Sequence, residues 1–262
     1  MELRTTAFDG MAAAYDAAFT ASALGHTLRA MVWNQYAATF ARREYLLEVG
    51  CGTGEDAVHL ARRGHRVLAT DASSQMLRVA ALKAERAGCA DRIRFVCLPM
   101  ESLGTALAEE EFDGVYSNFG AMNCTRHVDR VASDLARLMA PGAPLVCVTM
   151  GRYVPWEWAW YLARGAGRTA FRRLRRDGVA WRGIHVFYPS PRMFARALRP
   201  HFETRRVSPL GFALPPSYAA RWLDHSPRML AALTRAEHAA QRWSALAAFA
   251  DHYYLEATRV AP

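Results

Sequence analysis

Lysine is almost missing from this chain: Lys83 is the only one among 33 lysine and arginine residues. The formal net charge of +9 is therefore carried by arginine. Such usage follows coding composition as readily as a binding role, so charge alone does not assign a nucleic-acid partner, and none is expected. Cysteine is sparse. Cys51, Cys89, Cys97, Cys124 and Cys147 stand at irregular spacings with no C-x-x-C pair, a pattern that signals neither a zinc site nor a disulfide framework. No apolar run reaches membrane-spanning length, and none follows the charged start Met1-Glu2-Leu3-Arg4. The expected compartment is the cytoplasm, without membrane insertion; peripheral contact stays open. Repeats and low-complexity linkers are also lacking. What remains, 262 residues of which 52% are hydrophobic, suits one domain with a substantial core.

The most informative stretch present is Leu46-Leu47-Glu48-Val49-Gly50-Cys51-Gly52-Thr53-Gly54-Glu55-Asp56. An apolar run ends in an acid, three glycines follow at alternate positions, and a polar helix start comes next. This reads as a strand, a tight turn and a helix N-terminus, which lets backbone press against a flat ligand. A dinucleotide turn would need G-x-G-x-x-G, with a diphosphate on the helix N-terminus. Here the third glycine comes one residue early, and Glu55 and Asp56 occupy the first turn. Two carboxylates suit the helix dipole and repel a diphosphate. A cationic sulfonium without phosphate meets no such objection. A ligand-free turn is the weaker alternative, because three glycines cost backbone entropy with no packing gain.

The E-x-G-x-G-x-G spelling resembles motif I of the class I S-adenosylmethionine-dependent methyltransferases. Further stretches extend the resemblance. His65–Asp71 reads as a second strand ending in an acid, 21 residues past Gly50, close to the spacing at which an acid accepts ribose hydroxyls. Ala72-Ser73-Ser74-Gln75-Met76 resembles the family's next helix opening, where apolar side chains flank adenine. Pro99-Met100-Glu101 falls where the family carries an acid on the adenine amine; Pro99 departs from that pattern, leaving the Met100 backbone or Glu101 to serve. Phe112–Phe119 matches the fourth strand, ending at Asn118. Leu138–Val146 matches the L-x-P-G-G-x-L turn, with Ala143 for the second glycine. Ala7–Asp16 resembles the F-D-x-x-A-x-x-Y-D cap, which makes Tyr15 a cofactor-contact candidate. The resemblance thus implies S-adenosyl-L-methionine as cofactor, S-adenosyl-L-homocysteine as product, and Tyr15, Glu48, Gly50, Gly52, Gly54, Asp71, Ala72, Met76, Met100, Glu101 and Asn118 as cofactor-binding residues.

The expected fold is α/β: a Rossmann-like, doubly wound, mostly parallel seven-stranded sheet with an antiparallel last strand between the fifth and sixth, plus helical lid insertions. One methyltransferase domain, 1–262, is expected to divide into a helical cap (1–43), a cofactor-binding core (44–150) and substrate-lid insertions (151–189 and 211–250). Residues 10–40 read as helix broken near 21–25. Residues 151–189 lack strand alternation. Ser190–Leu198 and residues 217–249 read as helices; His201–Leu210 and Asp251–Val260 read as strands.

Methyl transfer needs position, a dry pocket and, for a weakly acidic acceptor, a base. An antiparallel last strand begins at the ligand-bearing edge of the sheet, which brings His252 there as the candidate base. His127 and His185 are its rivals. Asp251 is not expected to partner His252, because adjacent strand residues point apart. Tyr153, Trp156, Trp160, Tyr188 and Asn123 are the candidate substrate contacts, with Trp156 and Trp160 spaced for one helix face; lid-to-domain packing is the plainer reading of the aromatics. The arginines at 164, 168, 172, 173, 175, 176 and 182 read as a solvated face or an anion site. Asn118-Phe119-Gly120 lacks the Pro-Pro turn of exocyclic-amine nucleic-acid methyltransferases, although carbon or ribose methylation of RNA is not thereby excluded. No metal ligand set is seen. The expected function is methylation of a hydrophobic or aromatic small molecule of natural-product, quinone or polyketide-like type. Oxygen leads as acceptor atom, with nitrogen and carbon open. The alternatives are an anionic lipid or carrier-bound substrate, and a non-catalytic cofactor-binding or regulatory protein.

Overall fold

A computed structural model describes residues 8–12, 16, 20, 22–219 and 221–261. Its strands are β1 (Tyr45–Val49), β2 (Arg66–Asp71), β3 (Ile93–Cys97), β4 (Gly114–Ser117), β5 (Pro144–Met150), β6 (Val179–Trp181), β7 (Ile184–Val186), β8 (Phe202–Leu210) and β9 (His252–Arg259). Its helices are α1 (Ala23–Thr39), α2 (Glu55–Ala61), α3 (Ser74–Arg86), α4 (Leu103–Ala106), α5 (Val128–Leu138), α6 (Pro155–Leu162), α7 (Gly167–Ala170), α8 (Pro191–Leu198) and α9 (Pro227–Ala240). Seven strands form one sheet in the order β3-β2-β1-β4-β5-β9-β8. The first five run parallel, and β9 runs antiparallel to both neighbours. This is the expected Rossmann-like architecture.

Side chains alternate across the sheet because the strand period is two. On β1, Leu46 joins the core under α1, α2 and α3, while Leu47 and Val49 join the core under α5 and α8. Along α1, Leu24, Leu28, Met31, Val32 and Tyr36 recur at helical spacing and are all buried. Each of the aliphatic ones contributes about 1.5–3 kcal/mol by leaving water. Serines start the helices: Ser22, Ser73 and Ser190 accept the backbone N–H three residues on, satisfying donors a helix start leaves open.

The helical reading of 10–40 with a break near 21–25 agrees with the described residues: Asp9–Met11 form a 3-10 turn, Ala12, Asp16 and Thr20 are helical, and α1 starts afresh at Ala23, where Ser22 supplies the cap. One expectation is corrected. Residues 151–189 do carry strands, the hairpin β6–β7. Its two-residue turn, Arg182-Gly183, has φ of 47° and 87°, the doubly positive geometry that matches strand twist.

Candidate functional site

The turn after β1 is left-handed at all three glycines, with φ of 72°, 53° and 75° at Gly50, Gly52 and Gly54. A Cβ at Gly50 would lie 2.3 Å from Ala121 Cβ, and one at Gly54 2.7 Å from Ala80 Cβ. A Cβ at Gly52 would meet no atom of the described residues within 4 Å. The outer glycines are packed shut and the middle one faces open space. Beside it, Asp71 at the end of β2 accepts the Gly52 N–H (2.9 Å) on one oxygen and the Ser73 N–H (2.8 Å) on the other. Burial pushes the Asp71 pKa up, against the pull of these two bonds. Each oxygen keeps a second lone pair. Because β1 to β4 are parallel, Gly50–Gly54, Asp71–Ala72, Pro99–Glu101 and Asn118 all follow carboxyl ends on one edge, where open α/β sheets take ligands.

Polar side chains tie the chain's first segment over this edge. Ser73 donates its hydroxyl to Asp9. Thr53 donates to Asp16 (2.6 Å), and Lys83 bridges Asp16 (2.8 Å) and Glu55 (2.7 Å). Beneath, Asp56 receives Arg29 (2.6 Å), Trp33 Nε1 (2.6 Å) and Asn118 Nδ2 (2.9 Å). Burial opposes the charge on Asp56; the Arg29 guanidinium and three donated bonds overcome that and hold its carboxyl below the usual range. Both helix-start carboxylates thus have a cation, and bare repulsion of a diphosphate is weaker than their number implies.

A second cluster lies where β5 ends and β9 begins. His252 is 8% exposed. Its ring meets Phe119 edge-on with centroids 5.7 Å apart, and Phe119 follows β4 with a positive φ of 49°. His252 Nδ1 lies 3.0 Å from Asp251 Oδ2. Arg173 contacts Asp251 Oδ1 (2.7 Å) and Glu157 Oε2 (2.9 Å). Tyr218 donates to Glu157 (2.9 Å), and Glu157 is wholly buried. Burial opposes ionisation of Asp251, but Arg173 and His252 hold its carboxyl well below the usual carboxylate range.

Residues 46–142 match the family described as Methyltransferase domain. That stretch, rather more than a third of the chain, is similar to methyltransferase domains. It is 37% identical over 144 residues to a demethylmenaquinone methyltransferase from Thermobifida fusca, covering 53% of this chain and 57% of that protein. It is 30% identical over 113 residues to a ubiquinone biosynthesis O-methyltransferase from Psychrobacter cryohalolentis, covering 41% of each. The chain spans about half the length of the curated relatives it matches. The CcbJ methyltransferase structure from Streptomyces caelestis superposes with a TM-score of 0.60 at 16% identity, over 98% of this chain and 99% of that one, a likeness of fold.

The expected residues part company. Gly52 and Asp71 are hydrogen-bonded together at the edge. Ala72 and Glu101 are exposed and Met100 half-buried beside them. Tyr15 lies outside the described residues. Met76 is buried in the first turn of α3. Glu48 is corrected from a ligand contact to a support. It is 1% exposed, accepts Tyr116 O–H at 3.0 Å, and is driven well up in pKa by burial and by Asp56. Asn123 is corrected likewise. Its amide donates to Met150 O (3.2 Å) and Phe187 O (2.6 Å) and accepts Met150 N–H (2.9 Å), so it fastens segment 151–189 to β5.

The aromatics chiefly pack. Trp156 Nε1 donates to Phe212 O (3.0 Å), Trp160 lies under Arg164 at 3.4 Å, Tyr153 faces Phe249 at 6.2 Å, and Tyr161 faces Tyr218 at 5.4 Å. The contacts of Trp156, Tyr153 and Tyr161 join segment 151–189 to segment 211–250, whereas the Trp160–Arg164 pair lies within the first. Tyr188 lies half-buried with the Arg173 guanidinium 5.1 Å from its ring. His127 and His185 are exposed. The arginine cluster does not act as one face, since Arg172 and Arg173 both pair with Glu157. Adjacent residues Asp251 and His252 do approach within 3.0 Å, because Asp251 lies in a bend before β9, but the buried His252 Nδ1 has no hydrogen-bond partner among the described residues. Sequence reasoning placed Arg173 only within the arginine cluster and did not name Glu157. One signal was available: Glu157 is the lone acid in the otherwise apolar helix Pro155–Leu162.

Proposed function

We propose that this chain transfers the methyl group of S-adenosyl-L-methionine to a hydroxyl of a hydrophobic, ring-bearing small molecule of quinone or natural-product type. The space beside Gly52, clear of the described residues, and the second lone pairs of the Asp71 carboxylate fit a nucleoside without phosphates. The loop Gly50–Gly54, Asp71, Ala72 and the Met100 backbone would hold it, with Asn118 at the inner wall. When bound, the cofactor supplies a sulfonium methyl open to in-line displacement. Segments 151–189 and 211–250 serve as the substrate lid and exclude water. His252 takes the acceptor's proton at Nε2. The observation that carries this reading is the buried His252 ring set against Phe119, directly after β4, with a carboxylate behind it.

Calorimetry with S-adenosylhomocysteine and with NAD tests the cofactor: heat with the first and none with the second is expected, and the reverse overturns the reading. Asp71→Ala is expected to weaken S-adenosylhomocysteine binding by about 1–3 kcal/mol. Transfer of a labelled methyl group into a cell extract, lowered about 10²–10⁴-fold by His252→Gln, tests the base. Cofactor binding with no transfer to any acceptor would instead favour a regulatory protein.

A further inference from the structure

We propose that the outer face of α8 is a binding site for a diphosphate-bearing small molecule, built on Arg192, Arg196 and Arg199 and separate from the glycine turn.

The helix has two distinct sides. Pro191, Phe194 and Leu198 are buried, and the last two join the core under α5. Arg192, Arg196 and Arg199 are exposed. Their spacing of four and then three residues stacks them along one side. With Ala195 and Pro200 they line a cavity of about 600 Å³. None of the three guanidiniums forms an ion pair or a hydrogen bond among the described residues. Acids on the elements packed beside α8 are engaged elsewhere: Asp134 on α5 holds Arg137, and Glu203 on β8 holds Arg205.

Helix electrostatics account for only part of this set. Arg196 and Arg199 lie at the carboxyl end of α8, where the helix dipole favours a cation. Arg192 lies in the first turn, where the same dipole disfavours one, and that turn holds no acid to offset it. Three like charges around one cavity also repel one another. The arrangement becomes favourable once an anion lies between them.

The donors define that anion. Each guanidinium is a planar fork that engages two oxygens of one group. A carboxylate satisfies a single fork, whereas a diphosphate offers oxygens to all three. Ala195, Pro200 and the arginine stems make the walls apolar, which suits the organic body of an ester, and the volume is in the range of small-molecule sites. The position separates this ligand from the methyl acceptor. The inner side of α8 rests on the sheet, Phe194 meeting the ring of Tyr253 on β9 at 6.2 Å, so the helix stands between the cavity and the strands. Arg199 and Pro200 lie just before β8, whose Phe202 pairs with Arg259 at the end of β9. That is the edge of the sheet opposite Gly50–Gly54 and Asp71.

Calorimetry of the full chain with inorganic pyrophosphate is the test. Saturable binding at a single site is expected at low ionic strength, weakening as salt is raised. Arg192→Gln, Arg196→Gln and Arg199→Gln are each expected to weaken it about tenfold or more. Arg175→Gln, an exposed arginine outside the cavity, is expected to leave it unchanged, and all four variants are expected to keep the wild-type melting temperature and S-adenosylhomocysteine affinity. A wild type without saturable pyrophosphate binding overturns the proposal, as does equal weakening by Arg175→Gln. Vesicles of phosphatidylglycerol form the last arm: a wild type that sediments with them through these three arginines but ignores pyrophosphate would assign the face to lipid headgroups and likewise overturn the site.

Discussion

Asp56 and Asp251 are both buried aspartates held by an arginine that reaches in from a different part of the chain, yet their surroundings differ in kind. Asp56 collects Arg29, Trp33 and Asn118, three donors and no second acid. Asp251 shares its arginine with Glu157 and turns its free oxygen to a histidine. The first arrangement is saturated and fastens α1 to the glycine turn. The second gathers α6, the rest of segment 151–189 and the entry of β9 around one guanidinium, with a buried imidazole at its margin. A closed shell fastens two elements, and a shared one fastens three.

Removing each arginine separates the two most sharply. Arg173→Met leaves two buried carboxylates short of their main cation and is expected to cost about 3–5 kcal/mol, read from urea denaturation. Arg29→Met leaves Asp56 two neutral donors and is expected to cost less than Arg173→Met. Equal losses would erase the distinction.

The acid limb comes next. The folded pKa of Asp251 is below its unfolded value, so its pairing stabilises fully above about pH 4 and fades as pH falls below that. Asp251→Asn should lower the urea midpoint at pH 7 and flatten the decline below about pH 4. An unflattened curve would assign that decline to other carboxylates.

Smaller effects sharpen the Asp56 side. Lys83 pairs with partly exposed Asp16 and Glu55, and Lys83→Met is expected to cost about 0.2–1 kcal/mol, read from thermal melting. His59 stacks on Trp33 at 3.8 Å, and burial, with repulsion from Arg63, pushes its pKa down to about 4. Its stabilising contribution is complete above the unfolded value of about 6.5 and declines as pH falls toward 4. An NMR titration of the His59 ring should show a midpoint near 4; one near 6.5 would mean that the stack is open.

The cofactor half was legible because its signals are local. Gly50, Gly52, Gly54 and Asp71 lie within 22 residues, and each is demanded by a backbone geometry that few residue types satisfy. The strand order followed from the same alternation of elements, and the antiparallel β9 from its place in that order. The cluster at the entry of β9 resisted for the opposite reason. Arg173 and Asp251 are 78 residues apart, and nothing in either neighbourhood names the other. The hairpin β6–β7 was hidden because its turn is Arg-Gly instead of the usual Asn-Gly. The Asp251–His252 contact was misjudged because strand alternation was applied one residue beyond the strand.

Lys83 has one last implication. Apart from the chain terminus, its ε-amine is the only one in the molecule, and it is held between Asp16 and Glu55. An amine-selective reagent therefore has a single side-chain target, and its rate of labelling reports, without any engineered probe, how often Lys83 leaves Asp16 and Glu55.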